Sequence, residues 1–159
     1  MIILELMRLV LLTTLLCLIA LTDIQTRLIP KDLLLEMVVV EVGYLLLNCF
    51  FKTPETKLYQ ILYPPLAGLL AAAFLCLCCR ILAKDGIGGG DLKLLLFLGF
   101  CYELSDFLGA LAVTALLSLG VGAVLLLRKK IEKEATLPFA PFLAIGVMVE
   151  TILQLVKLL

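Results

Sequence analysis

The stretch Asp91-Leu92-Lys93-Leu94-Leu95-Leu96-Phe97-Leu98-Gly99-Phe100-Cys101 decides the architecture of this chain. It is apolar but short. As a helix it rises about 16 Å, around half of the roughly 30 Å hydrocarbon thickness of a bilayer. Outward from it, five longer apolar runs each approach the ~20 residues that a lipid span needs. They are roughly Ile2–Leu21, Leu33–Phe51, Ile61–Leu82, Phe107–Leu127 and Phe139–Val156. The basic residues decide whether the short stretch crosses too. Arg27 and Lys31 follow the first run; Arg80, Lys84 and Lys93 flank the third loop; Arg128, Lys129, Lys130 and Lys133 fill the fifth. If the short stretch crosses, these nine of the thirteen basic residues share one side, as the positive-inside bias requires. With five crossings the third and fifth loops would face opposite sides and the bias would dissolve. The expectation is therefore an all-α membrane protein, a polytopic bundle of six transmembrane helices with a short fourth span, both termini outside and the odd loops cytoplasmic.

Composition agrees. Of 159 residues, 64% are hydrophobic and 16% charged, with a mean hydropathy of +1.21. Soluble domains are roughly 45–50% apolar, so lipid is the natural solvent and the bilayer the first partner. The length suits one domain, residues 1–159. The net charge of zero argues against nucleic acid. There is no His, which removes His-dependent catalysis and imidazole metal sites. The six Cys lie in or at the ends of apolar runs without zinc-ribbon spacing, and read as small packing residues. No cofactor and no metal is expected. The first run has no basic leader before it and no small-residue cleavage site after it, so it reads as a retained span. Gly68, Gly109, Gly120, Gly122 and Gly146 read as sites of close helix approach.

Acidic residues at membrane spans are costly and carry a functional hypothesis by default. Asp23 directly follows the first run and Asp91 directly precedes the fourth, so six crossings put both at one depth on the cytoplasmic side. Two carboxylates placed together share a proton, because both do not easily ionise at once. Such a pair hydrolyses peptides: the ionised member activates water and the protonated one polarises the scissile carbonyl. Each Asp read alone is an ordinary helix-end carboxylate. The run Gly86-Ile87-Gly88-Gly89-Gly90 before Asp91 argues for more, since glycine permits special backbone conformations and lets an extended peptide approach. No GxxxxGK[ST] follows, and Asp91 would repel phosphate. After Asp23, Pro30 ends any helix at Ile29 and starts the next, which predicts a short loop holding Asp23 at the interface.

These residues resemble a known family. Asp23, with Ile29-Pro30 after it, resembles the first aspartate motif of the type IV prepilin peptidases. Gly88-Gly89-Gly90-Asp91 with trailing Lys93 resembles their GxGD motif, and Leu137-Pro138-Phe139-Ala140-Pro141-Phe142-Leu143-Ala144 their final Pro-Phe signature. The resemblance implies an aspartic endopeptidase that cleaves the leader of prepilin-like substrates at the cytoplasmic face of a prokaryotic plasma membrane, with Asp23 and Asp91 catalytic. Lys31 stands where Asn is frequent and Ala140 where Gly is. The chain resembles a short form without the cysteine-paired N-terminal segment of bifunctional members, so peptidase activity without N-methyltransferase activity is expected. Gly88, Gly89, Gly90, Lys93 and Pro30 are expected to shape the site. Glu36 and Glu41 in the second span and Glu150 in the sixth read either as bundle-facing residues paired with a polar neighbour or as contacts for the substrate's basic leader, a role Asp85 beside the glycine run would share. Of these, Glu41 is the expected site residue. Helix-end dipoles favour Asp91 as the ionised base and Asp23 as the proton carrier. Two other readings stand: a GxGD intramembrane protease of another type, or a small transporter or assembly subunit that uses the two Asp for ions or partners.

Overall fold

The computed structural model describes residues 2–51, 58–83, 88–128 and 138–158. Six helices follow one another: α1 (Ile2–Thr26), α2 (Lys31–Phe51), α3 (Leu58–Ala83), α4 (Gly89–Cys101), α5 (Leu104–Leu127) and α6 (Ala140–Leu158). Four of them, α1, α2, α3 and α5, are long and apolar enough to cross a membrane; α6 is an apolar helix just under that length, and α4 has 13 residues. The chain is an all-α membrane bundle. Several residues weighed in the sequence lie outside the described ones: Lys84, Asp85, Gly86, Ile87, Lys129, Lys130, Lys133 and Leu137.

Side-chain contacts fix the helix directions. Gly68 of α3 lies against Gly99 of α4, and farther along α3 the Cys76 thiol donates to the Leu92 carbonyl at 3.6 Å. Numbers rise on one helix as they fall on the other, so the pair is antiparallel. Helices α5 and α6 are antiparallel too: Gln154 Nε2 donates to Asp106 Oδ2 near one end, while Thr114 Oγ1 donates to the Phe142 carbonyl near the other. Arg8 of α1 pairs with Glu41 of α2, and Asp23 of α1 meets Ala140 of α6. Successive helices therefore alternate in direction. Short as it is, α4 runs between the two ends of the bundle with the rest, its roughly 20 Å of rise reaching from the Asp23 end to the Arg8 end.

Without a hydrophobic drive between helices in lipid, close packing by small residues joins them. A side chain at Gly68 would collide with the Gly99 and Tyr102 carbonyl oxygens, and a Cβ at Gly99 would sit 2.5 Å from Ala72 Cβ and 2.6 Å from the Gly68 oxygen. Gly109 and Gly146 are likewise pressed, by Glu150 and by Ala110 with Thr114. Gly120 faces open space, so its expected packing role fails.

On α1, Leu9, Leu12, Leu16 and Ile19 are buried at helical spacing, one stripe facing the bundle. Asp23 continues that stripe. This corrects the expectation of a loop holding Asp23, while Asp91 lies at a helix N-terminus as expected. Helix α1 does not stop before Asp23 but runs to Thr26, with Arg27 in a left-handed conformation (φ 53°) and its N–H on the Asp23 carbonyl at 2.9 Å. Helix α4 starts two residues before Asp91, so Asp91 stands in its first turn.

Candidate active site

At the end of the bundle where α1 finishes and α2, α4 and α6 begin, a cavity of about 620 Å³ opens. Asp23, Arg27, Leu28, Ile29, Lys31 and Leu34 line it from the first loop and its helices; Gly88, Gly89, Gly90, Asp91 and Lys93 from the start of α4; Pro138 and Phe139 from the start of α6. The three segments singled out in the sequence thus meet at one place. Asp23 and Asp91 share the cavity, near enough for the Asp23 charge to act on Asp91.

The two carboxyls differ in setting. Asp23 is 5% exposed, and its Oδ2 accepts the backbone N–H of Ala140 at 3.1 Å. Ala140 is the first residue of α6. An oxygen at a helix N-terminus meets both an orphan N–H and the positive end of the macrodipole. Asp91 is half-buried and, among the described residues, its carboxyl has no hydrogen-bond partner and no ion pair. Arg27, Lys31 and Lys93 give the cavity a basic wall.

The glycines act through space rather than through unusual backbone. None of the described ones has positive φ, and Gly88, which precedes α4, has the extended values φ −61° and ψ 136°. That corrects the expectation of a special glycine conformation before Asp91. A Cβ on Gly88 would lie 3.2 Å from Asp91 Oδ2. A Cβ on Gly90 would lie 3.4 Å from three carbons of Ile29, so Gly90 seats the isoleucine that follows Asp23 by six residues. The two aspartate-bearing segments approach each other closely here.

Pro30 is not among the residues that line the cavity; it directly precedes α2, its carbonyl accepting Leu34 N–H at 3.4 Å. Glu41 is also not there. Expected beside a basic leader, it lies 2% exposed at the opposite end of the bundle. Arg8 Nη1 donates to its Oε1 at 3.1 Å and Oε2 at 3.3 Å, and to the Cys101 carbonyl at 3.2 Å, with the guanidinium 4.4 Å from the Tyr44 ring centre. Buried and paired with Arg8, this carboxylate lies apart from the aspartate cavity. Glu150 packs on Gly109 toward that same end, far from the aspartates.

The sequence reading missed two features: the Ala140 N–H on Asp23, and Arg8 as the partner of Glu41. The first carries no side-chain signal. The second had one, since an Arg and a Glu in adjacent spans, each otherwise costly in lipid, are candidates for each other.

Residues 10–127 match the model of the type IV leader peptidase family. A prepilin leader peptidase/N-methyltransferase of Bacillus subtilis (strain 168) is 31% identical over 143 residues, which is 90% of this chain and 54% of that protein. A second, from Xanthomonas campestris pv. campestris, is 33% identical over 67 residues, 42% of this chain and 23% of its own. The chain spans about half the length of the first of these relatives, and a smaller part of the second. No solved structure matches.

Proposed function

Because the chain belongs to the type IV leader peptidase family, we propose that it is a membrane-embedded aspartic endopeptidase that cleaves the leader peptide of prepilin-like substrates, with Asp23 and Asp91 as its catalytic pair. The multi-pass prokaryotic membrane setting accords with the family and with its apolar helices. The observation that carries the reading is the convergence of Asp23 and Asp91, remote in sequence, on one cavity at the bundle's end.

The chemistry needs no more than these two groups and water. One carboxylate removes a proton from water as its oxygen attacks the scissile carbonyl carbon. The other gives its proton to the carbonyl oxygen. In the second half the first returns its proton to the leaving nitrogen, the second recovers a proton from the gem-diol, and the C–N bond breaks. A cavity between helices limits bulk water, which strengthens the hydrogen bonds on the developing charge. Gly88, Gly89, Gly90 and Lys93 shape its α4 side, and Pro30 sets the turn that leads from Asp23 into α2.

The same reading takes the cavity end as cytoplasmic and both termini as outside, since Arg27, Lys31, Arg80 and Lys93 gather at that end. The substrate is a peptide with a short basic leader followed by an apolar helix lying in the bilayer.

The test is cleavage of a leader-bearing pilin precursor by membranes that contain the protein. Asp23→Asn and Asp91→Asn are each expected to abolish it, because neither amide can exchange the proton. Cleavage at the unaltered rate by either variant would remove the two-carboxylate mechanism.

A further inference from the structure

We infer that Asp23 is the general base of the pair and Asp91 the general acid, and that the backbone N–H of Ala140 is the positioning group that fixes this order. The inference rests on the peptidase reading above and deepens it.

Helix-end dipoles taken from the sequence give the opposite order, because Asp23 lies at the C-terminal end of α1. The fold adds what that reading lacks. Asp23 is also at the start of α6, and its Oδ2 receives the Ala140 N–H at 3.1 Å. Pro141, next in the chain, has no N–H, and the Leu143 N–H is already given to the Phe139 carbonyl at 3.2 Å. Of the donors at this turn, the one given to Asp23 is that of Ala140, on one carboxylate oxygen. A donor fixed on a carboxylate oxygen favours its charged form. It also occupies Oδ2 and leaves Oδ1 of this cavity-lining residue as the oxygen to accept the water proton.

Asp91 has no such donor among the described residues. Gly88 brings no side chain to it, and no capping bond links the two. Asp91 shares the cavity with Asp23, Arg27, Lys31 and Lys93, and none of the three basic side chains is within ion-pair distance of it among the described residues. With one proton for two carboxyls, that proton belongs on Asp91, from which it passes to the substrate carbonyl oxygen. The water proton goes to Asp23 Oδ1 and then to the leaving nitrogen.

This gives the Pro138-Phe139-Ala140-Pro141 segment a physical task. It delivers a main-chain donor, from a position where α6 is anchored by a wholly buried Ala140, to the base on another helix. Loss of the donor leaves every side chain in place and removes the bias, with the Phe139 carbonyl still available to the Leu143 N–H as a weaker acceptor.

The experiment replaces the Phe139–Ala140 amide by an ester, with the hydroxy-acid analogue of alanine at 140. The methyl group and backbone shape stay and the N–H is lost. Cleavage of the leader-bearing pilin precursor is followed against pH. The expected result is a kcat lowered on the order of tenfold with KM unchanged, and an acidic limb moved up by about one pH unit. Ala140→Gly, which keeps the N–H, is expected to keep the limb. If Asp91 were the base, loss of the donor would populate the productive proton arrangement, and kcat would rise or hold; that result overturns the assignment. So does a kcat lowered equally at all pH values with an unmoved limb, which marks a packing defect. Asp23→Asn and Asp91→Asn are assayed alongside. Cleavage by either sinks the peptidase reading itself, whereas inert Asn variants with an unmoved limb in the ester sink this inference alone.

Discussion

With 5% of its surface exposed, Asp23 is held by the helix stripe that also buries Leu16 and Ile19, and by one main-chain donor from α6. A hydrogen bond to a charged group contributes about 1.5–3 kcal/mol. An exposed helix-end dipole contributes about 0.3–1 kcal/mol. The hydrogen bond between distant segments is the stronger of the two, and it decides the order of the pair. On the other carboxyl, the room beside Asp91 depends on Gly88. Its φ and ψ suit any residue, so Gly88→Ala brings no backbone strain, only a methyl group 3.2 Å from Asp91 Oδ2. The carboxyl must yield by a few tenths of an ångström. A small misplacement of a reacting group is costly, so we expect kcat to fall on the order of tenfold while thermal unfolding in detergent stays unchanged. Steady-state cleavage with parallel unfolding curves checks this. At this scale the sequence made the meeting of the two Asp at one cavity legible, because an acidic residue at a span end beside a glycine run or an Ile-Pro pair stands out. It misplaced Glu41 for the same reason. Any carboxylate in a span stands out, and only the fold shows that Arg8 has already taken it.

Among the elements, α4 is the one whose reading mattered most and whose packing is tightest. Its crossing was legible from charge bias, and its end-to-end run beside α3 was not, since that depends on Gly68 and Gly99 facing each other. Composition presents Gly68, Gly99 and Gly120 alike. Contact separates them. Gly99→Ala sets a Cβ 2.5 Å from Ala72 Cβ and 2.6 Å from the Gly68 carbonyl oxygen, and backbone does not yield as a side-chain tip does. Overpacking of this kind costs about 1–3 kcal/mol, and it lifts α4, with Asp91 in its first turn, away from α3. The expected outcome is an earlier unfolding midpoint and lower cleavage together. Gly120→Ala, with nothing within 4 Å, is expected to be neutral or to stabilise by up to ~1 kcal/mol through helix propensity. Denaturation of both variants in the same micelle gives the contrast. Helix ends were the least legible feature. α1 extends past its apolar run to Thr26 because Asp23 falls on the buried stripe, so tertiary burial carries the helix where hydropathy alone ends it.

Across the whole molecule the polar groups separate into two ends with different duties. The Asp23 end opens a cavity of about 620 Å³. The Arg8 end has a smaller cavity of about 120 Å³, lined by an ion pair whose side chains are 12% and 2% exposed and which is joined to the last turn of α4 through the Cys101 carbonyl and to α2 through the Tyr44 ring. One guanidinium thereby ties α1, α2 and α4 together at the end opposite the aspartates. Removal of one member of a buried pair leaves a charge without its partner, at about 3–5 kcal/mol, whereas replacement of both by apolar groups of similar volume is often neutral. Glu41→Ala is therefore expected to destabilise the bundle by about 3–5 kcal/mol, and Arg8→Met combined with Glu41→Leu to recover most of that. The two ends also make separate predictions for activity. If Glu41 held the substrate's leader, its loss would raise KM, and the apolar double variant would not restore it. With Glu41 structural, cleavage per folded molecule stays at the unaltered value in the double variant, with KM unchanged. Unfolding titrations give the stability order, and cleavage kinetics normalised to folded protein give the second readout. A raised KM in the double variant would return Glu41 to the substrate path and detach the far end of the bundle from its purely structural duty.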